Sequence, residues 1–179
     1  GHLSDLLPPQ ASVLDIGCGD GGLDRLIAHR RPDLAFQGVE VLQRPTTAIP
    51  VTVFDGRHVP HDSRHFDAVL LIDALHHAED PLALLRESRR VARTAVIIKD
   101  HTREGILAGP TLRFMDWVGN ARHGVRLPSV YWTKSQWMAA LNETGLRLVV
   151  WKDRLRLYPW PATYLFDRSL HFVARLDVT

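Results

Sequence analysis

Short apolar runs alternate with segments of helical spacing through the first hundred positions of the chain. The runs are rich in β-branched residues and predict strands at Ser12–Ile16, Leu34–Val39, Thr52–Phe54, Phe66–Ile72 and Ala95–Ile98. Apolar residues three or four positions apart predict helices at Gly21–Arg31 and from Asp80-Pro81 to Val91. Strands that alternate with helices require right-handed crossovers, so the pattern predicts an α/β fold on a largely parallel sheet.

The pattern changes after His101. Apolar residues from Thr102 to Asn120 keep a helical spacing that Gly109-Pro110 interrupts, and Ala121–Tyr131 has the composition of a loop. Because this stretch follows the last strand of the alternating series, we interpret residues 102–132 as a helical and loop insertion that covers a site.

The two ends of the chain complete the predicted architecture. Leu3–Leu7 is expected to be the end of a short helix, and Thr133 is expected to cap a helix that runs to Glu143. Leu146–Trp151 and Leu170–Leu176 predict two strands without a helix between them, which implies an antiparallel pair at one sheet edge. A chain of 179 residues with 45% hydrophobic content suits one domain over residues 1–179.

Acidic residues stand at or near the carboxyl ends of all five predicted parallel strands: Asp15, Glu40, Asp55, Asp73 and Asp100. A charged residue at a strand end gains nothing from the core, and ligands of parallel sheets bind beyond these ends. Four glycines, Gly17, Gly19, Gly21 and Gly22, follow the first strand and allow a ligand to approach the backbone closely. The sequence therefore predicts a nucleotide-type ligand site at this edge.

Charge and cysteine content narrow the function classes. Residues 1–100 carry 11 Lys+Arg against 14 Asp+Glu, and residues 101–179 carry 11 against 6, so the halves differ (−3 and +5). A dense basic block with interleaved aromatic residues is absent from the sequence, which argues against nucleic acid as a partner. The single cysteine, Cys18, excludes an internal disulfide and fits a reducing compartment.

Two further features concern targeting and the start of the chain. An apolar run of membrane-spanning length and a signal-peptide pattern are both absent from the sequence, so a cytoplasmic protein without a membrane span is expected. Gly1-His2 resembles the remnant of a protease site, which leaves open whether an N-terminal lid segment precedes it. The oligomeric state is also left open.

Four motifs in order resemble the class I S-adenosylmethionine-dependent methyltransferases, in particular the small-molecule branch similar to ubiquinone and menaquinone biosynthesis methylases. They are Val-Leu-Asp-Ile-Gly-Cys-Gly-Asp-Gly at 13–21, Gly38-Val39-Glu40, Phe54-Asp55-Gly56, and the stretch from Phe66-Asp67-Ala68-Val69 through Asp73-Ala74-Leu75-His76-His77-Ala78-Glu79-Asp80-Pro81. The resemblance implies a Rossmann-like doubly wound sheet of seven strands, mostly parallel, with an antiparallel last strand. One departure is Ala92-Arg93-Thr94, which replaces the family's usual Lys-Pro-Gly-Gly turn and is interpreted as a changed loop.

The resemblance also implies a site for S-adenosyl-L-methionine. Asp15 and Gly17 would border its methionine part, Cys18 and Gly19 would contact it, and Glu40 would hold its ribose hydroxyls beside Val41. Asp55 and Gly56 would face the adenine, and Ile72 and Asp73 would line the methionine and sulfonium end. Carboxylates suit a sulfonium and an ammonium because both are cations. The glycine spacing also satisfies the dinucleotide fingerprint, but Asp15, Asp55 and the short remainder of the chain argue against a dehydrogenase.

The candidate catalytic residues are His77 and His101, which follow the fourth and fifth strands. A histidine at either place can accept a proton from a phenol, a hydroxyl or a carbon acid. His76, His77, Asp100 and His101 are metal-ligand types, but their spacing is not that of a metal site, so no metal is predicted.

Methyl transfer to a small molecule is the predicted function, with Arg103, Trp117, Tyr131 and Trp132 of the insertion as candidate acceptor contacts. Met115, Asn120 and Arg122 are further candidates from the same stretch, and Arg103 and Arg122 could hold a carboxylate or phosphate in bidentate fashion. The alternatives are a nucleic-acid or protein methyltransferase and a non-catalytic S-adenosylmethionine-binding module.

Overall fold

The computed structural model describes residues 2–120, 130–155, 160 and 169–179, with residues 116, 119 and 120 described by their backbone only. Seven strands of these residues form one sheet: β1 Ser12–Ile16, β2 Ala35–Glu40, β3 Val51–Val53, β4 Phe66–Ile72, β5 Ala92–His101, β6 Leu146–Lys152 and β7 His171–Val178. Their order across the sheet is β3-β2-β1-β4-β5-β7-β6. Strands β1 to β5 pair in parallel, and β7 lies antiparallel between β5 and β6. The fold predicted for the chain is confirmed.

Four α-helices of the described residues connect or follow these strands: α1 Gly22–Arg30, α2 Pro81–Val91, α3 Ala108–Asn120 and α4 Lys134–Glu143; a 3₁₀ helix spans Leu75–His77. Asp80 caps α2 by accepting a hydrogen bond from the Ala83 N–H at 2.9 Å. Thr133 caps α4 in a capping box with Gln136. Both caps lie where the sequence predicts a helix to begin, so they fix the orientation of the chain on either side of the site.

Apolar side chains cover both faces of the sheet. One cluster includes Phe66, Leu85, Trp137 and Phe172 and lies on the side of α2 and α4, and the second includes Ile27, Phe36 and Leu70 on the side of α1. Strand β4 is buried over most of its length because helices cover it on both sides. The strand ends, which carry the acidic residues, are therefore held by a rigid centre.

The structure corrects three predictions about local structure. Ala92–Thr94 is part of β5 and not a loop, because α2 passes directly into the strand and Ala92 already pairs with Phe66. Gly109-Pro110 does not interrupt α3, since both residues lie in its first turn, where a proline costs no hydrogen bond. Residues 3–7 form turns and not a helix. Other boundaries shift by one to three residues, and the predicted loop from Ala121 falls mostly outside the described residues.

Candidate functional site

The glycine loop after β1 lies tightly against its neighbours. The Gly17 N–H donates to the Val39 carbonyl at 2.8 Å, which holds the loop against β2. Gly17 has φ +80°, and a Cβ at this position would lie only 2.9 Å from the Ala74 Cβ. A side chain would therefore meet both backbone strain and a clash, and the glycine is needed here.

Glu40 ties the glycine loop to the end of β2. Its Oε2 accepts a hydrogen bond from the Gly19 N–H at 2.8 Å, and its Oε1 accepts from the N–H groups of Val41 and Leu42 at 2.8 and 3.2 Å. The residue is 7% exposed. The backbone thus fixes the carboxylate, whose Oε2 keeps one acceptor site, and its contact with ribose hydroxyls stays a prediction.

A buried carboxyl pair lies below this loop. Asp15 and Asp24, the latter from the first turn of α1, are 3% and 0% exposed, and their side chains are close enough to share a proton. Burial and the charge of Asp24 raise the pKa of Asp15 well above its ordinary value. Burial likewise raises the pKa of Asp24 to about 6. Within the described part of the chain, neither Asp24 oxygen receives a hydrogen bond from the N–H or hydroxyl of another residue, so this acidic pocket lacks a compensating cation.

Cys18 lies beside these acids and is half-buried. Burial, together with the charges of Asp15, Asp24 and Glu40, raises the pKa of its thiol to about 12. A thiol with so high a pKa is not a nucleophile near neutral pH. Gly38 leaves the space that the Cys18 sulfur fills, and a contact of Cys18 with the cofactor stays a prediction.

Asp55 and Gly56 form a turn after β3. The Asp55 Oδ1 accepts hydrogen bonds from the N–H groups of His58 and Arg57 at 2.7 and 2.8 Å, and these bonds lower the pKa of the carboxyl. Gly56 packs against Val41, since a Cβ at this position would lie 3.2 Å from the Val41 Cγ1. Asp55, Gly56 and Val41 therefore lie together beyond the ends of β2 and β3, and their contact with an adenine stays a prediction.

Asp73 lies directly after β4, at the centre of the rim, which is the edge of the sheet where the parallel strands have their carboxyl ends. Its φ of +52° is unusual for a residue with a side chain, and its N–H continues the sheet by donating to the Lys99 carbonyl at 2.8 Å. The Lys99 ammonium lies 2.6 Å from both Asp73 oxygens. Ile72, Asp73 and Lys99 line a cavity of about 290 Å³ that also touches Leu3 and Leu23. The predicted methionine end of the cofactor thus adjoins open space.

A cluster of histidines and aspartates lies next to Asp73. The His76 Nδ1 is 2.7 Å from the Asp100 Oδ1, and both residues are buried. Burial alone would raise the pKa of Asp100, but the charge of His76 and hydrogen bonds from His101 and His76 outweigh it and hold the pKa below its ordinary value. Asp100 is thus a buried anion at the end of β5.

His101 completes this cluster. Its Nδ1 lies 3.4 Å from the Asp100 Oδ1 and 3.5 Å from the Asp73 Oδ1, and its carbonyl accepts the Trp137 indole N–H at 3.0 Å. The residue is 8% exposed. The ring of His77 lies 3.9 Å from the ring of His76, so both predicted catalytic histidines belong to the same cluster.

A second cavity lies beyond Tyr131. It measures about 320 Å³, and its lining includes Arg103, Arg113, Tyr131 and Trp132. The Tyr131 ring lies 5.6 Å from the His76 ring and 6.0 Å from the His101 ring, so one side chain separates this cavity from the histidines. Three of the four predicted acceptor contacts, Arg103, Tyr131 and Trp132, are thus brought together.

The remaining acceptor predictions are not supported in the same way. Trp117 is 69% exposed and does not line this cavity. Arg122 and the side chain of Asn120 lie outside the described residues.

Metal-ligand atoms also meet in the histidine cluster. One donor atom each of Asp73, His76, Asp100 and His101 lies within 4.8 Å of the others. An ion bound there would have to displace the Lys99 ammonium from Asp73. The spacing of these residues along the sequence does not reveal this geometry because they come from three separate elements.

Sequence reasoning missed three residues of the site. Asp24 shows a signal in hindsight, since it is an acid at a helical position that faces the core. His76 was considered only as a metal-ligand type, yet its Nδ1 lies 2.7 Å from the Asp100 Oδ1. Arg113 shows no sequence signal, because its nearness to Arg103 depends on how α3 packs.

Comparison with known proteins supplies a family. A family model described as a methyltransferase domain matches residues 2–150. A 2-methyl-6-phytyl-1,4-hydroquinone methyltransferase from Synechocystis is 28% identical over 142 residues, which are 73% of this chain and 39% of that protein. A tRNA (carboxymethyluridine(34)-5-O)-methyltransferase from Schizosaccharomyces pombe is 31% identical over 94 residues, which are 50% of this chain and 40% of that protein. The chain thus spans less than half the length of these curated relatives, whose acceptors differ in class.

Solved structures confirm the fold. An S-adenosylmethionine-dependent methyltransferase from Mesorhizobium loti superposes with a TM-score of 0.73 at 18% identity, over 98% of this chain and 95% of that one. A chain solved in complex with the Haloferax volcanii Trm112 methyltransferase activator gives a TM-score of 0.76 at 16% identity, over 99% of this chain and 87% of that one. None of the helices in the described part of the chain has the length and apolar character that a membrane crossing requires. By its family match, its motifs and its fold, the chain belongs to the class I S-adenosylmethionine-dependent methyltransferases.

Proposed function

We propose that this chain transfers a methyl group from S-adenosylmethionine to an ionisable atom of a small molecule. The observation that carries the proposal is the position of His101, a nearly buried imidazole flanked by the carboxylates of Asp73 and Asp100 at 3.5 and 3.4 Å. Both carboxylates lie at Nδ1 and orient the ring, which leaves Nε2 as the atom that takes the proton of the acceptor.

The residues of the rim fit the cofactor that the family implies. Asp15 and Asp24 offer buried oxygens without a counter-cation, which suits a ligand with an ammonium and a sulfonium group. Glu40 is held by three backbone N–H groups and retains acceptor capacity for ribose hydroxyls. Asp55, Gly56 and Val41 would contact the adenine, and Ile72 and Asp73 would line the methionine end.

S-adenosylmethionine supplies an electrophilic methyl group, whose bond to sulfur breaks as its bond to the acceptor atom forms, leaving S-adenosylhomocysteine. His101 acts as the base that removes the acceptor's proton, and Asp100 and Asp73 orient its ring through Nδ1. His76 positions Asp100 through its 2.7 Å hydrogen bond. His77 is the second candidate base, since its ring contacts His76.

The insertion favours a small acceptor. Residues 130 and 131 lie over the histidines, because the Val130 N–H donates to the His76 carbonyl at 2.8 Å and Tyr131 contacts both His76 and His101. A cavity of about 320 Å³ lies in the size range of small-molecule sites. The hydroquinone methyltransferase from Synechocystis, which matches 73% of this chain, supports the same interpretation.

A tritiated-methyl assay tests this function with the purified chain. Phenols, hydroxybenzoates, quinone precursors and unmodified tRNA are each offered with S-adenosylmethionine. We expect label in at least one class of small acceptor and none in tRNA. Label in tRNA alone would favour a nucleic-acid methyltransferase, the alternative that the match to the tRNA methyltransferase from Schizosaccharomyces pombe supports.

The third possibility is a module that binds the cofactor without catalysis. In that case S-adenosylhomocysteine binds, but every acceptor class, tested with a chain that includes any N-terminal extension, stays unlabelled. This outcome would overturn the proposed transfer and retain the proposed cofactor site.

A further inference from the structure

The cavity beyond Tyr131 is basic and aromatic in its described lining. Two guanidinium groups, two aromatic rings and one amide line it, from Arg103, Arg113, Tyr131, Trp132 and Gln136, and no acidic residue is among the described lining residues. We propose that this cavity binds the carboxylate or phosphate group of the methyl acceptor, so that the acceptor is a small organic acid. This proposal rests on the proposed function and names its substrate class.

Local structure places the two arginines side by side. The Arg103 side chain packs over the start of α3, since a Cβ at Gly109 would lie 3.8 Å from the Arg103 Cδ. Arg113 follows Gly109 by four positions, and side chains four residues apart share one face of a helix. The Arg103 N–H also donates to the Trp132 carbonyl at 2.9 Å, which fixes the backbone of Arg103 beside the aromatic wall.

Among the side chains that the structure describes, which do not include that of Asp116, neither arginine has an ion-pair partner. Many other arginines of the described chain pair with a carboxylate, as Arg31 does with Asp33 and Arg147 does with Asp177. Two guanidinium groups without carboxylates repel one another, and an anion between them removes the repulsion. A guanidinium also binds carboxylates and phosphates in bidentate fashion, which gives both affinity and orientation.

The position of Tyr131 relates the anion to the reacting atom. Its ring borders the basic cavity on one side and stands 5.6 and 6.0 Å from the rings of His76 and His101 on the other. An acceptor held by its acid group at Arg103 and Arg113 would have to extend past the Tyr131 ring to bring its nucleophilic atom to His101. A hydroxy-aromatic acid or its phosphate counterpart carries an acid group and a nucleophilic oxygen at opposite ends of one ring.

A nucleic-acid phosphate is the competing anion. Nucleic-acid binding by charge requires several basic residues that follow the phosphate backbone. The described lining offers two exposed arginines beside an indole and a phenol. These features favour a single acid group on a small planar molecule over a nucleic-acid strand.

The binding test uses matched probes in the presence of S-adenosylhomocysteine. Benzoate, phenyl phosphate and neutral benzamide are titrated into the full chain, and tryptophan fluorescence or calorimetry reports binding. We expect benzoate or phenyl phosphate to bind about tenfold to a hundredfold more tightly than benzamide, and the stronger of the two anions identifies the acid group. Arg103→Gln and Arg113→Gln should each abolish that preference.

Matched variants control for folding. Arg147→Gln removes an exposed arginine that pairs with Asp177 on β7, and it should keep the preference for the anions. Arg113→Lys keeps the charge but loses the bidentate geometry, so it should retain part of the preference. Equal binding of benzamide and benzoate by the unsubstituted chain overturns the proposal, as does a preference that survives both Gln variants.

Turnover separates this proposal from the proposed function. If 4-hydroxybenzoate is methylated and phenol is methylated far less, both stand. If phenol is methylated as well as 4-hydroxybenzoate, the anion site is wrong while methyl transfer stands. If tRNA is the acceptor and the two Gln variants lower its methylation, the arginines bind RNA phosphate and the small-acid proposal is overturned. Failure to bind S-adenosylhomocysteine would instead contradict the proposed function itself.

Discussion

At the scale of single residues, the site is marked by side chains whose burial is not compensated inside the protein. Asp24 is completely buried and receives no hydrogen bond from an N–H or hydroxyl of another described residue, and Asp15 beside it has a raised pKa. Such groups cost stability in the ligand-free protein. Their retention is reasonable if a cationic ligand offsets the cost.

Asp24→Asn tests whether this buried acid lowers the stability of the ligand-free protein and raises its affinity for a cationic ligand. The pKa of Asp24 is raised to about 6 from an ordinary 3.8, so the folded state holds a proton that the unfolded state releases. Stability of the ligand-free protein should therefore fall as pH rises from about 4 to about 6 and then stay level. The amide cannot ionise and so removes that loss, and we expect the variant to gain about 2–3 kcal/mol in urea unfolding at pH 7.5 and much less at pH 4.5.

The same variant should bind S-adenosylmethionine about tenfold more weakly at pH 7.5, because it lacks the charge that attracts a cation. Asp62→Asn, which changes an exposed carboxylate in the segment between β3 and β4, is the control and should leave both quantities near the wild-type values. An Asp24→Asn protein that is less stable than wild type at pH 7.5 would contradict the assignment of Asp24 as an uncompensated acid.

His101→Gln tests the proposed base. It removes the proton acceptor and keeps a polar side chain of similar length, so methyl transfer should fall by about 10²- to 10⁴-fold while S-adenosylhomocysteine still binds. Steady-state rates and calorimetry measure the two effects, with His29→Gln on the exposed end of α1 as the control. His77→Gln, measured alongside, decides between the two candidate histidines. Loss of cofactor binding together with activity would show a structural role for His101.

At the scale of elements, the sequence predicted a segment correctly where its local pattern of residues alone determines its conformation. Strand β4 was predicted at its observed bounds because Phe66–Ile72 is an apolar run with no alternative register. Asp80 and Thr133 were predicted as caps because their side chains bond to the next turn. Ala92–Thr94 was misread as a loop, since its strand conformation depends on pairing with Phe66, which is distant in sequence.

The residues of the site were likewise predictable where their position follows from a single element. Residues that end a strand, such as Asp15, Glu40 and Asp73, could be placed on one rim because parallel strands end at the same edge. The contacts of Asp24 with Asp15, of His76 with Asp100, and of Arg113 with the basic cavity depend on packing between separate elements. Those contacts required the structure.

The glycine loop allows a matched test at this scale. Gly17 and Gly19 both have positive φ, +80° and +60°, but a Cβ at Gly17 would lie 2.9 Å from Ala74 whereas one at Gly19 meets nothing within 4 Å. Gly19→Ala should cost only the backbone strain of about 1–2 kcal/mol. Gly17→Ala adds the clash and should lower the melting temperature further, by thermal unfolding of both variants. Equal losses would show that the loop tolerates a side chain next to Ala74.

The cluster of Asp73, His76, Asp100 and His101 leads to a prediction about metal dependence. Because Lys99 already neutralises Asp73 at 2.6 Å, we expect methyl transfer to continue unchanged after dialysis against EDTA. Activity that EDTA abolishes and Mn²⁺ or Zn²⁺ restores would show instead that Asp73, His76, Asp100 and His101 hold an ion.

At the scale of the whole molecule, the two halves of the sequence have opposite net charge and contribute different parts of the site. Residues 1–100, with net charge −3, build the acidic rim that suits a cationic methyl donor, and residues 101–179, with net charge +5, contribute the basic cavity. The His101 cluster lies between them. A cation and an anion would thus be drawn to opposite sides of the proposed base.

The central claim is that S-adenosylmethionine binds at the rim formed by the glycine loop and Glu40. Calorimetric titration with S-adenosylhomocysteine tests it most directly, with wild type, Glu40→Ala and the control Glu79→Ala, which removes an exposed carboxylate paired only with Arg57 in the described chain. We predict micromolar binding to wild type and Glu79→Ala, and at least about tenfold weaker binding to Glu40→Ala, since the carboxylate that would accept from the ribose and that holds the Gly19 N–H is lost. No binding to the wild-type chain, or equal affinity for all three proteins, would contradict the claim.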